Sequence, residues 1–126
     1  MTSDQDRIQL VIPAAAEYLV LARLTAAGIA GRLGMSYEDV EDLRVIASET
    51  CRLLMGDNGA AGTVTLSYVT EGQSLEIVAV GETDPMPATP EEDDLSLHLL
   101  AALADDHDVS VGGGEARIRV VKRASA

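Results

Sequence analysis

The sequence of 126 residues contains no phenylalanine and no tryptophan, and three tyrosines are its only large aromatic rings. With 47 % of residues hydrophobic, the interior has to be built from Leu, Val, Ile and Ala. Little aromatic surface is left for stacking on nucleic-acid bases. Basic residues are scarce too: 9 Lys and Arg stand against 21 Asp and Glu, a formal charge of -12. Such a field repels phosphate backbones and anionic headgroups, so direct binding to nucleic acid or a membrane surface is not expected. A basic protein partner fits the charge, as does plain solubility. Cys51 is the single cysteine, so no internal disulfide can form and nothing requires an oxidising compartment. A signal peptide is not in evidence, because residues 1–7 are polar and lack the basic-then-apolar order. The most apolar stretch, residues 19–29, is interrupted by Arg23 and preceded by Glu17, which excludes a membrane span there. The expected location is the cytoplasm.

At this length one domain, residues 1–126, is expected, with a flexible terminus over residues 1–6. Ile8, Leu10 and Ile12 alternate with Gln9 and Val11, a strand pattern that Pro13 closes. Residues 14–33 then read as a helix, with Val20, Leu24 and Ala27 at stripe spacing and Gly28 and Gly31 weakening it. After Gly34, Ser36 with Asp39 makes an acidic variant of a capping box. A second helix follows, with Val40, Leu43, Ala47 and Leu54 on one face as far as the Gly56-to-Gly59 breaker. Strands at 63–69 and 74–80, joined by a turn at 70–73, make a hairpin. Residues 81–92 read as an acidic, Pro-rich loop, residues 94–104 as a third helix, and 108–111 with 116–121 as a closing hairpin. The fold class is α+β: a two-layer α/β sandwich in which three helices cover a mostly antiparallel sheet of about five strands.

This element order resembles the GHKL ATPase fold, and within it the RsbW-type anti-sigma factors. Three stretches carry the likeness: residues 21–24 (Leu-Ala-Arg-Leu), 42–49 (Asp-Leu-Arg-Val-Ile-Ala-Ser-Glu) and 100–106 (Leu-Ala-Ala-Leu-Ala-Asp-Asp). The resemblance implies ATP-dependent protein serine kinase chemistry, which needs three features. The first is a Glu with an Asn four residues on, giving a proton acceptor and a magnesium ligand on one helical face. Glu49 matches the acceptor, whereas Leu53 has no oxygen for a hard cation. The second is an Asp-x-Gly that reads adenine; the matching stretch is Gly81-Glu82-Thr83, with Asp84 open as a shifted register. The third is a Gly-x-Gly entering the last helix to hold phosphates, where Asp94 and Ser96 stand instead and Asp93 adds charge. These departures point to degenerate nucleotide motifs, residues 81–92 standing in place of the ATP lid, and no ATP or magnesium cofactor.

On this reading the chain is expected to sequester an alternative sigma factor of stress or developmental type. A STAS-type anti-anti-sigma protein would antagonise it, and a homodimer is possible. Arg23 matches the family's partner surface, and Leu19, Ala26, Ala27 and Ala30 are expected to form a flat apolar patch around it. An arginine snorkelling from a buried helix is the plainer account of the same residue. The rival functional reading is an active Mg-ATP-dependent serine kinase with Glu49 as catalytic base. A third is a pseudo-ATPase subunit that acts only by dimerising. His98 and His107 lack companions for a metal, Cys51 lacks a base, and Tyr18, Tyr37 and Tyr68 read as packing residues.

Overall fold

In the computed structural model, which describes residues 5–56 and 58–125, the alternating start of the chain becomes strand β1 (Arg7–Pro13). Leu10 and Ile12 turn inward, Gln9 and Val11 outward. Pro13 belongs to the strand, which lies at the sheet edge, where a residue without an N–H is tolerated. Of the expected flexible terminus, residues 1–4 lie outside the described residues. Asp6 is tied down: its N–H donates to Thr70 Oγ1 and its carbonyl accepts from Thr70 N, both at 2.9 Å.

A 3₁₀ turn over Ala16–Tyr18 leads into α1 (Leu19–Arg32), five residues later than residue 14. Ala14 cannot start a helix because it continues the pairing of β1, donating to Gly62 O at 3.1 Å and accepting from Ala60 N at 2.9 Å. The stripe of Val20 and Leu24 lies outward, 43 % and 56 % exposed, while Leu19, Ala22, Ala26, Ile29 and Ala30 form the buried face. Spacing could not choose between these faces, since both are apolar; packing selected the alanine side. Nothing lies within 4 Å of where a Cβ would stand on Gly28 or Gly31, so neither serves a close helix contact.

Helix α2 (Tyr37–Met55) follows its sequence signals closely. The Ser36 Oγ caps it, accepting from Asp39 N at 3.1 Å, and Leu43, Ala47 and Leu54 are buried with Val40 packed beside them. It ends at Gly56, whose φ of 72° an L side chain would rarely adopt. Strands β2 (Ala61–Glu71) and β3 (Ser74–Asp84) run further than expected, and Gly81 to Asp84 are strand rather than loop. The extension depends on Gly62, whose bare Cα (φ 101°) sits against the Glu82 carbonyl where a Cβ would collide. The loop therefore begins at Pro85. Helix α3 (Leu95–Leu103) and the hairpin β4 (Asp106–Gly112) with β5 (Glu115–Arg123) complete the chain.

The five strands form one antiparallel sheet in the order β1-β2-β3-β5-β4. All three helices cover one face, α2 across the centre against β2, β3 and β5, with α1 and α3 on its flanks. The core between the layers is aliphatic, built from side chains such as Ile12, Ile46, Leu66, Ile77, Leu100 and Ile118. Tyr68 is the aromatic exception. Its hydroxyl donates to Ala22 O at 3.0 Å and so pins α1 to the sheet.

Candidate functional site

The second half of α2 and the start of α3 bring Leu53, Asp94 and Ser96 to one crevice of about 220 Å³, and Glu49 lies behind it, bonded to the lining side chains Arg52 and Ser96. Arg52, Leu53, Pro87, Pro90, Asp94 and Ser96 are among the residues lining it. Glu49 is 9 % exposed and both its oxygens are engaged. Oε2 accepts from Arg52 Nε at 3.1 Å, and Oε1 from Ser96 Oγ at 3.3 Å. Arg52 follows Glu49 at the i,i+3 spacing of a helical ion pair, a signal the sequence offered. Leu53 is partly buried against the core and presents only carbon to the crevice. At the mouth of α3 the Asp94 Oδ1 accepts from Leu97 N at 3.2 Å, so the helix N-terminus is capped by its own chain.

The structure does not bring the remaining acidic candidates here. Strand alternation puts Gly81 and Thr83 on the helix side of β3, while Glu82 and Asp84 are exposed on the other. Neither carboxylate faces Glu49. Thr83 is buried and donates its hydroxyl to Pro85 O at 3.1 Å, and Gly81 packs against Leu54. Among the described residues no three His, Cys, Asp or Glu side chains converge as a metal site. Cys51 is fully buried, and burial pushes its thiol up to about 12, which makes it a small core residue and no nucleophile.

A second region is the outward face of α1. Arg23 is partly buried, and its Nη1 donates to Ser48 Oγ on α2 at 3.3 Å. The patch expected around it needs correction: Leu19, Ala26 and Ala30 are core residues, at most 5 % exposed, because this side of α1 packs on α2 and the sheet. Ala27 remains partly accessible. Of the large exposed side chains on α1, Val20 stands one turn before Arg23 and Leu24 next to it, while Leu21, two positions away, projects to the other side of the helix. The bond to Ser48 spans 25 positions of sequence and had no local signal.

No protein-family model matches the chain. It is 33 % identical to the serine-protein kinase RsbW of Bacillus cereus (strain B4264), over 80 % of this chain and 75 % of the relative. To that of Bacillus pumilus (strain SAFR-032) it is 31 % identical, over 83 % and 68 %. The chain belongs to the RsbW family. A third member, from Bacillus velezensis, is 29 % identical over 90 % of this chain and 84 % of its own. The five antiparallel strands under three helices are the GHKL-type ATPase fold of RsbW proteins. Both regions described above lie within that fold, the crevice between α2 and α3 and the docking candidate on α1. None of the helices among the described residues is long and apolar enough to cross a membrane.

Proposed function

We propose that this RsbW-family chain is an anti-sigma factor that acts by docking. It holds an alternative sigma factor through the outward face of α1, is displaced by an anti-anti-sigma protein of STAS type, and binds adenine nucleotide weakly or not at all. This role is exercised in the cytoplasm, and a homodimer is compatible with it.

The observation that carries the reading is that α1 is apolar on both sides. A helix apolar all round belongs inside a protein, yet Val20, Leu21 and Leu24 are 42 % to 56 % exposed. Such a bare face on a small acidic protein suits a partner surface, and Arg23 supplies an anchor of the residue type enriched at interface centres. Weak nucleotide binding is supported by the crevice chemistry. Leu53 offers no oxygen to magnesium, and Glu49 is bonded on both oxygens. Asp94 places a carboxylate at the helix end where a phosphate would need bare N–H groups.

The test is co-expression with the alternative sigma factors of the same organism, followed by affinity measurement on the complex that forms. Arg23→Ala is expected to weaken binding about 100-fold, the loss typical of a central interface arginine, while leaving the melting temperature within a few degrees. Wild-type affinity in that variant removes the docking face. The second reading, an active serine kinase, is favoured by the name the relatives carry and by the survival of Glu49. A melting shift with Mg-ATP and phosphate transfer to an anti-anti-sigma serine would establish it; no shift and no transfer is the expected result.

A further inference from the structure

Among the described residues, Arg23 is the one basic side chain that is partly buried and has no carboxylate within ion-pair distance. Arg44, Arg52, Arg119 and Lys122 are all paired with Asp or Glu, and Arg7, Arg32, Arg117 and Arg123 are exposed. In a chain with 21 acidic residues, leaving a half-desolvated cation unpaired is a departure from the pattern. What holds it is a neutral hydroxyl, that of Ser48, itself only 7 % exposed and fixed on the long helix α2. A guanidinium has five N–H donors in a rigid fork. With one engaged by Ser48, the others make no bond to the described residues and are available to acceptors brought by a partner.

We infer that Ser48 is the positioning residue of the docking face, holding the Arg23 guanidinium in place before a partner arrives. The inference rests on the docking function proposed above and names a residue that touches no partner. The physical gain is preorganisation. A free arginine samples many rotamers, and association must freeze them; an arginine already tethered to a buried hydroxyl has that ordering done in the unbound protein. A neutral acceptor suits the task better than a carboxylate, which would neutralise the charge and compete with the partner for the same donors.

The experiment is a double-mutant cycle read by affinity for the sigma factor that co-purifies with the wild-type chain. Ser48→Ala is expected to weaken binding about tenfold, the scale of one hydrogen bond to a charged group, mainly through faster dissociation. In the Arg23→Ala background the same substitution should change nothing further, and Ser48→Thr, which keeps the hydroxyl, should restore affinity. If Ser48→Ala does not fold, Ser48→Cys keeps the volume without the strong acceptor and is read in the same way. Wild-type affinity in Ser48→Ala, or losses that add with Arg23→Ala, overturns the positioning role while leaving docking through Arg23 intact. Wild-type affinity in Arg23→Ala, or the absence of any sigma-factor complex, overturns the docking reading and this inference with it.

Discussion

Asp39 is 1 % exposed, and it is kept satisfied there by the end of β5 and the residues just beyond it. The Ser125 hydroxyl donates to its Oδ1 at 2.6 Å, the Ser125 N–H to its Oδ2 at 2.8 Å, and Lys122 stands 3.9 Å away. These bonds, the Ser125 hydroxyl first, hold the Asp39 carboxyl below its ordinary range against the opposing effect of burial. The unfolded chain therefore takes up the proton at higher pH than the folded one. The stabilisation is complete above about pH 4, where an unfolded aspartate is ionised, and is lost as pH falls through the depressed folded value. Asp39→Ala is expected to lower stability by about 2 kcal/mol at neutral pH, the scale of hydrogen bonds to a buried charge. The gap to wild type should close in acid. Urea melts of both proteins from neutral pH downward check this, and parallel curves would assign the acid sensitivity elsewhere.

Among the elements, the helices differ in how far their residues announced them. For α2 the Ser36 cap, the acidic first turn and one apolar face all agreed, and its face and both its ends fell where the residues put them. In α1 the existence of a helix was legible but its buried side was not, because alanines on one side and Val20, Leu21 and Leu24 on the other are equally apolar. Helix α3 is short and depends on its first turn. Asp94→Ala removes the bond to Leu97 N and is expected to cost about 1 kcal/mol, the usual worth of an N-cap. Asp94→Asn keeps an acceptor and should recover most of that loss in the same denaturation series. Equal losses in both variants would mean that the negative charge at the helix end, and not the cap bond, matters.

For the molecule as a whole, the charge of -12 acts at long range and on rates. If the field serves encounter with a basic partner, association should slow about tenfold between low and physiological salt, with dissociation nearly unchanged. Stopped-flow mixing with the sigma factor across a salt series measures both, and a flat association rate would leave solubility as the role of the acidic surface.

The residues themselves determined the element order, the two-layer class and the RsbW likeness, because period, caps and turn residues act within a few positions of one another. The motif spacing of the family also singled out Glu49, Leu53, Asp94 and Ser96, of which Leu53, Asp94 and Ser96 line one crevice and Glu49 is bonded to Ser96 beside it. Only the tertiary structure decided that Leu19, Ala26 and Ala30 are interior, that Glu82 and Asp84 leave the helix side of the sheet, and that Arg23 rests on Ser48. Each of those outcomes depends on which surfaces meet across the fold. Local sequence carries no record of that choice when an element is apolar on every side, or when the partner lies far along the chain.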